Sequence, residues 1–269
     1  MVFEQISKRQ IKLIKALGGS KKHRVNHQCF FVEGLKGVEE ALKAGFDMDF
    51  IVASDDFVQR HGSVFLAPEP MAGVKVSQAP RKIYDQLSDT VTPQGILAIV
   101  RMKRFDFNDV LQGNLLLVAL DRISDPGNLG TIIRTSDAAG ATAVIAGKGC
   151  VDVYNPKVVR ASMGSIFHLP ILQVEDLPQV LLQLKSQGIQ VVTTHLEGKK
   201  FYYDVNYQVP TAIVMGNEDD GVLDEIAGLS DIKVKIPMPG DAESLNVSVA
   251  HGIMLFEAAK QRTHSSFFL

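Results

Sequence analysis

Apolar residues recur along the chain with two different spacings, which predict different elements. Helical spacing predicts helices over residues 6–17, 35–45, 78–87, 129–139, 155–163, 177–187 and 222–227. Short apolar runs bounded by polar residues predict strands at 29–34, 49–54, 74–76, 95–100, 115–120, 142–146, 190–194, 211–215 and 232–236. Because strand and helix alternate throughout, the pattern predicts an α/β fold, with a parallel sheet flanked by helices in the C-terminal part.

The same pattern divides the chain. The alternation over residues 1–103 indicates a small N-terminal α/β domain, in which Gly18 and Gly19 end the first helix and a basic loop follows at 20–27. The polar stretch over 104–114 indicates a linker, and residues 115–269 form the predicted larger domain.

Length and composition describe an ordinary globular chain. The 269 residues are 46% hydrophobic and 22% charged, with a formal net charge of −2. Apolar runs are much shorter than the roughly 18 residues that a membrane span needs, and the first residues lack the layout of a signal peptide. We therefore expect a cytoplasmic protein that does not contact a membrane.

Positive charge is concentrated at the N-terminus, where the first 28 residues hold seven basic residues against the single acid Glu4. Such a basic end on an otherwise acidic chain indicates a polyanionic partner. The alternative is a solvated helix face followed by a loop. The candidate phosphate-binding residues are Lys8, Lys12, Lys15, Lys21, Lys22 and Arg24.

Three stretches carry the most specific signal. They read ALDRISDPGNLGTIIRTSDAAGA over residues 119–141, AIVMGNEDDGV over 212–222 and IPMPGDAESLNVSVAHGIMLFEA over 236–258. In the third, a Pro/Gly loop leads to the start of an apolar helix, where free backbone N–H groups can bind a polar or anionic group. Together and in this order, the stretches resemble the signature motifs of the SpoU (TrmH-type) RNA ribose 2'-O-methyltransferases of the SPOUT class.

The resemblance implies a fold and a set of partners. It implies a SPOUT-type trefoil knot from about residue 190 to the C-terminal helix, S-adenosylmethionine as cofactor and a homodimer formed through the knotted domain. It also implies that residues 1–103 are a ribosomal-protein-like RNA-binding domain. Ribosomal RNA is the expected substrate, and transfer RNA is the alternative.

The resemblance also assigns site residues. It implies cofactor contacts at Thr194, Gly216, Ile236, Met238 and Leu245 and catalytic roles for Asn128, Arg134, Glu218, Ser244 and Asn246. Without it, Gly216 suits the role of a turn glycine and Asn128 that of a turn asparagine. Ser244 could be a helix cap and Glu218 an acid in the first turn of a helix. Arg134 could be a surface arginine that balances Asp125 or Asp137. Guanidinium stays protonated, so Arg134 is better suited to hold a phosphate than to act as a base. Glu218 is left with two possible tasks, orienting Arg134 or accepting the hydroxyl proton.

Other classes of function find less support. The chain lacks a G-x-G-x-x-G after its first strand, a P-loop and the ligand spacing of a zinc site, so we expect no metal. A non-catalytic RNA-binding or ribosome-assembly protein remains the alternative of a different class, and cofactor binding would separate the two.

Overall fold

The computed structural model describes residues 3–62 and 73–264. Within these residues the chain forms two compact units. The first contains the described residues of 1–103 together with 154–167, and the second contains 104–153 and the described residues from 168 onward. Each unit has its own sheet.

The elements follow one another along the described chain. The strands are β1 (Glu4–Gln5), β2 (Cys29–Glu33), β3 (Met48–Ser54), β4 (Val76–Ala79), β5 (Ile96–Arg101), β6 (Leu116–Leu120), β7 (Ala143–Ala146), β8 (Ile171–Gln173), β9 (Gln190–Thr194), β10 (Lys200–Phe201), β11 (Thr211–Met215) and β12 (Ile232–Lys235). The helices are α1 (Lys8–Gly19), α2 (Lys21–His27), α3 (Leu35–Lys43), α4 (Asp55–His61), α5 (Arg81–Asp85), α6 (Phe107–Val110), α7 (Pro126–Ala138), α8 (Pro156–Ala161), α9 (Leu177–Ser186), α10 (Asp224–Leu229) and α11 (Val247–His264). Short 3-10 helices lie at Ser165–Phe167 and Tyr202–Asp204.

The first unit is built on a mixed sheet. Its strand order within the described residues is β1-β4-β3-β5-β2, and β5 runs antiparallel to both of its neighbours. Several details differ from the prediction, which included neither β1 nor α4. The fourth strand is Val76–Ala79 rather than residues 74–76, and residues 21–27 form α2 instead of a basic loop.

Arg24 belongs to the core of this unit rather than to its surface. Its side chain is only 4% exposed. The guanidinium donates to the carbonyl oxygens of Leu17, at 2.5 Å, and Gly18, at 3.5 Å, near the end of α1. A buried arginine that satisfies helix carbonyls holds α2 against α1. The prediction that Arg24 binds RNA is therefore wrong.

Residues 154–167 cluster with the first unit, whereas the predicted division placed them in the larger domain. The reason is aromatic packing. The ring of Phe30 lies 4.6 Å from that of Tyr154 and 6.1 Å from that of Phe167, and Phe46 meets Phe167 edge-on at 5.1 Å between centroids. The predicted linker is also structured, since it contains α6 and its Val110 packs into the core of the second unit.

The second unit contains the predicted parallel sheet, with helices packed against it. Its strand order within the described residues is β10-β12-β9-β11-β6-β7-β8, and all of these neighbouring strands pair in parallel. The strands β6 and β11 are buried along their whole length, as their continuous apolar sequences predict. Because all strands run the same way, the loops that follow β6, β9, β11 and β12 leave the sheet at one edge. Among the described residues, no helix has the length and apolar character to cross a membrane.

Candidate active site

A cavity of about 700 Å³ opens where these loops meet. Its walls come from the ends of β9, β11 and β12, from the loops that follow them and from the first turn of α11. This volume lies within the range of small-molecule sites. The lining includes the predicted residues Thr194, Gly216, Glu218, Ile236, Met238, Ser244 and Leu245.

The cavity offers both apolar and backbone surface. Leu245 is 38% exposed and Met238 is 37% exposed, although large apolar side chains are usually covered. Gly216 has a geometric reason for lacking a side chain, because a Cβ atom there would lie 2.2 Å from the backbone of Gly221 and Val222. The glycine thus lets the end of β11 approach the loop that closes this wall.

Glu218 is the most heavily hydrogen-bonded side chain near the cavity. One carboxylate oxygen accepts from the backbone N–H and the hydroxyl of Ser124, at 3.1 and 2.9 Å. The other accepts from the N–H of Asp125, at 3.1 Å, and from the side-chain amide of Asn128, at 3.0 Å. Glu218 therefore ties the loop after β11 to the loop after β6.

These bonds also set the acidity of Glu218. Burial by itself would raise its pKa, but the hydrogen bonds from Asn128 and from the backbone of Ser124 and Asp125 stabilise the ionised form and lower the pKa to about 2. Glu218 lies in a turn rather than in the first turn of a helix, so its environment and not a helix dipole produces the shift. The described partners of Glu218 do not include Arg134, which is evidence against the orienting task.

Asn128 extends the connection to the third motif. Its side-chain oxygen accepts from the side-chain amide of Asn246 at 2.9 Å. The oxygen of Asn246 in turn accepts from the backbone N–H of Ser248 at 2.9 Å and of Val249 at 3.4 Å. Asn246 is therefore the residue that caps the start of α11, a role that the sequence also allowed for Ser244. Ser244 is exposed at the cavity wall.

Arg134 lies apart from this hydrogen-bonded chain. It is exposed on α7, two turns beyond Asn128, and is not part of the cavity lining. Among the described residues its side chain makes no hydrogen bond or ion pair, and neither Asp125 nor Asp137 balances it. Asp125 caps α7 through the N–H of Asn128, and Asp137 contacts His168. The guanidinium of Arg134 is thus available to a ligand.

The structure adds positioning residues that sequence reasoning missed. The carboxylate of Asp121, which is 3% exposed, accepts from the Arg122 guanidinium at 3.1 Å and from the N–H of Leu223 at 2.9 Å. Arg122 also donates to the carbonyl of Gly221 at 3.1 Å, and Asn217 donates to the carbonyl of Arg122 at 2.8 Å. The sequence signal for Asp121 was its position, because it is an acid directly after the buried apolar strand β6.

A buried polar pair lies behind the site, where α7 packs against α11. His251 is fully buried, and its Nε2 lies 3.0 Å from the hydroxyl of Ser136. Burial lowers the pKa of His251 to about 4, so the ring is neutral at pH 7. Its Nδ1 makes no hydrogen bond of good geometry, although the Ile132 carbonyl lies nearby.

Within the described residues, no group of three or more His, Cys, Asp or Glu side chains is placed to hold a metal ion.

Comparison with known proteins agrees with this geometry. The family model of the SpoU rRNA Methylase family matches residues 115–256. The chain belongs to the SpoU rRNA methylase family. A second model, the MRM3-like substrate binding domain, matches residues 8–98. The resemblance read from the three motifs is confirmed.

The family assignment extends over nearly the full chain. The 23S rRNA (guanosine(2553)-2'-O)-methyltransferase RlmP of Bacillus subtilis strain 168 is 33% identical over 237 residues, which are 88% of this chain and 91% of the relative. The crystal structure of the SpoU methyltransferase AviRb from Streptomyces viridochromogenes with AdoMet covers 96% of this chain and 100% of its own, with a TM-score of 0.85 and 28% identity. An AdoMet-bound rRNA methyltransferase from Sinorhizobium meliloti covers 96% of each chain, with a TM-score of 0.83 and 35% identity.

Proposed function

We propose that this SpoU family member transfers the methyl group of S-adenosylmethionine to a ribose 2'-hydroxyl of RNA, with ribosomal RNA as its substrate. The observation that carries the proposal is the hydrogen-bonded chain Glu218–Asn128–Asn246, which joins the three motif loops beside the cavity. The relatives support the choice of substrate, since RlmP is named as a 23S rRNA 2'-O-methyltransferase. The proposed location is the cytoplasm, in keeping with a ribosomal RNA substrate and with the bacterial relative RlmP.

The cavity fits the cofactor. It has the volume of a small-molecule site, exposes Leu245 and Met238, and offers backbone groups beside Gly216. Thr194, Gly216, Ile236, Met238 and Leu245 would hold S-adenosylmethionine. When bound, it supplies a sulfonium methyl group to the ribose oxygen, with loss of the carbon–sulfur bond and release of the hydroxyl proton.

The remaining residues position the loops and the RNA. Asn128 and Asn246 hold the start of α11 against the first turn of α7, which fixes the wall that contains Leu245. Arg134 has no hydrogen-bond or ion-pair partner among the described residues, and its guanidinium suits an RNA phosphate next to the target ribose. Both oxygens of Glu218 already accept hydrogen bonds and its pKa is low, so its role is to stabilise the loops rather than to accept a proton.

The N-terminal unit supplies RNA affinity in this proposal. Lys8, Lys12, Lys15, Lys21 and Lys22 are exposed on α1 and α2. The match of residues 8–98 to a substrate-binding model supports this role. Lysines on helix surfaces bind phosphates without reading sequence, so RNA affinity falls as the salt concentration rises.

The trefoil knot and the homodimer are part of the same proposal. The contact between α11 and α7 supports the knot, because the chain must return from β12, beyond β9 and β11, to reach the helix that follows β6. Val249 and Phe256 support the dimer. They lie seven residues apart on α11 and are 50% and 51% exposed, so they present apolar surface on one side of the helix.

The test is methyl transfer from tritiated S-adenosylmethionine to unmodified ribosomal RNA and, in parallel, to unmodified transfer RNA. We expect label in ribosomal RNA, located at a ribose 2'-oxygen by its resistance to alkaline cleavage. Asn128→Ala should reduce transfer, while Asn108→Ala, at an exposed asparagine in α6, should not. A folded wild type that binds the cofactor but labels neither RNA would refute the proposal, and label in transfer RNA alone would refute the choice of substrate.

A further inference from the structure

The cavity has two rims of opposite charge. On one side, in the loop after β11, the lining carries the acidic residues Asp219 and Asp220, and Glu243 belongs to the loop after β12. On the other side lie β10 and the residues around it, with the sequence GKKFYYD over 198–204. A polyanion approaching the cavity is repelled by the first rim and attracted by the lysines of the second.

The second rim also carries stacked aromatic rings. Phe201 and Tyr203 stack with 5.5 Å between ring centroids and 26° between planes, and Tyr202 meets Tyr203 edge-on at 5.0 Å. Tyr203 is 47% exposed, so part of its ring is open to solvent. Phe201 and Lys235 belong to the cavity lining and are register partners in the sheet, and Lys235 lies over the Phe201 ring at 5.4 Å. We call the group formed by Lys199, Lys200, Phe201, Tyr202, Tyr203 and Lys235 the aromatic–lysine rim.

Its charge balance favours an anionic ligand. Lys199, Lys200 and Lys235 are exposed, with Glu197 and Asp204 as the neighbouring acids. One oxygen of the Asp204 carboxylate already accepts a hydrogen bond from the N–H of Phe201, at 3.3 Å. The combination of lysines with a partly open stack of rings is the chemistry that binds single-stranded nucleic acid, whose bases stack on aromatic rings while lysines neutralise phosphates.

We infer that the aromatic–lysine rim binds a single-stranded segment of the substrate RNA, with an unpaired base stacked on Tyr203 and phosphates held by Lys199 and Lys200. The inference rests on the proposed function, because it gives the RNA a path to the cavity that avoids the acidic rim. The bound segment therefore flanks the nucleotide that enters the site. Double-stranded RNA keeps its bases stacked on one another and does not present one to Tyr203.

The test is binding of a short fluorescein-labelled oligouridylate, followed by anisotropy, to the wild type and to Tyr203→Ala, Tyr203→Phe and Leu182→Ala. One base–aromatic stack accounts for about tenfold in affinity. We expect Tyr203→Ala to weaken binding about tenfold and Tyr203→Phe, which keeps the ring, to bind like the wild type. Leu182→Ala is the control, since it removes a similarly exposed apolar side chain on α9, away from the cavity lining.

Two further readouts separate stacking and charge from a merely structural effect. An oligonucleotide with 2-aminopurine should lose fluorescence on the wild type and on Tyr203→Phe, but not on Tyr203→Ala. Lys199→Glu with Lys200→Glu should reduce the salt dependence of binding by about 0.7 in slope for each RNA phosphate that the variant no longer neutralises. Unchanged affinity and unchanged quenching in Tyr203→Ala would overturn the inference.

The outcomes distinguish this inference from the proposed function. A wild type that methylates ribosomal RNA while Tyr203→Ala keeps the same KM for that RNA would overturn the inference alone. A wild type that binds the oligonucleotide through Tyr203 but transfers no methyl group would count against the proposed function alone. A change of oligomeric state in Tyr203→Ala, seen by light scattering, would show that a second copy of the chain covers the rim and would also overturn it.

Discussion

Replacing Glu218 by glutamine removes a charge to which two loops beside the cavity are hydrogen-bonded. The change keeps the size of the side chain, but one of its two oxygens becomes an NH₂ group. In either orientation this group faces donors: the N–H of Asp125 and the amide of Asn128 on one side, or the N–H and hydroxyl of Ser124 on the other. At least two accepted hydrogen bonds are therefore removed.

The loss of free energy of unfolding in Glu218→Gln follows from the hydrogen bonds that are broken and, independently, from the pKa of Glu218. Hydrogen bonds to a charged group contribute about 1.5–3 kcal/mol each, and partial access of water reduces the loss when such a bond is broken. The lowering of the Glu218 pKa from 4.5 to about 2 corresponds to about 3 kcal/mol before solvent screening is considered. We expect Glu218→Gln to reduce the free energy of unfolding by about 2–3 kcal/mol at pH 7.

The effect has a definite pH dependence. A carboxylate with a lowered pKa in the folded state stabilises that state above its unfolded pKa, and this stabilisation is lost as the pH falls toward the folded pKa. For Glu218 the window runs from about pH 4.5 down to about pH 2. At pH 3.5, one unit below the unfolded pKa, the difference in free energy of unfolding between the wild type and the variant should be about 1.4 kcal/mol smaller than at pH 7.

The assay is urea-induced unfolding followed by circular dichroism, at pH 7 and at pH 3.5, for the wild type and the variant. Hydrogen exchange at Ser124 and Asp125, whose N–H groups donate to Glu218, should be faster in Glu218→Gln. Glu243→Gln is the matched control, because this carboxylate lies exposed in the loop after β12, belongs to the cavity lining and makes no hydrogen bond among the described residues. A stability difference that is equal at both pH values, or equal for both variants, would refute the reasoning.

Three further predictions concern separate parts of the chain. Leu245→Arg should abolish S-adenosylmethionine binding in titration calorimetry, because it places a long charged side chain in the cavity, whereas Leu182→Arg, at an exposed leucine of α9, should bind normally. Lys12→Glu with Lys15→Glu should lower RNA affinity and leave cofactor affinity alone, and equal retention of RNA in filter binding would contradict this. The unfolded state binds the proton of His251 near pH 6.5 and the folded state only near pH 4, so the wild type should lose about 2 kcal/mol between pH 7 and pH 5 through this residue. In urea unfolding, His251→Gln should lose less stability than the wild type between these two pH values, because it lacks the titrating ring.

The sequence was informative where burial alone decides the structure. The short apolar runs at 115–120 and 142–146 predict buried strands, and these strands lie at 116–120 and 143–146, buried along their whole length. It was less informative where polar residues form an element. Residues 21–27, KKHRVNH, carry little apolar periodicity, yet they form α2 because the buried Arg24 links them to α1.

The site was predictable by residue type but not by the way its residues meet. The motifs identified Asn128, Glu218 and Asn246, whereas the bonds between them span at least 90 positions along the chain and depend on strand order. Spacing could not show that Glu218 contacts Asn128 instead of Arg134, since both lie on α7. The placement of residues 154–167 with the first unit likewise depends on aromatic packing with Phe30 and Phe46.

Positioning, rather than proton abstraction by a carboxylate, is the form of catalysis that this site favours. Glu218 is a weak base, because its oxygens are occupied and its pKa is about 2. A guanidinium such as that of Arg134 has no acceptor for a proton, and His251 is fully buried against Ser136. Aligning the ribose oxygen with the methyl group can by itself supply much of the rate enhancement.

In a site that works by positioning, the pH dependence of the methylation rate should not depend on a side-chain base. His195 belongs to the cavity lining, and its Nδ1 accepts from the N–H of Glu197 at 3.2 Å. If positioning dominates, His195→Gln should keep the shape of the pH profile of kcat measured with saturating ribosomal RNA. An inflection in that profile that His195→Gln abolishes would identify His195 as a general base and would contradict catalysis by positioning. Measuring kcat from about pH 6 to 8.5 avoids most of the acid destabilisation expected from His251.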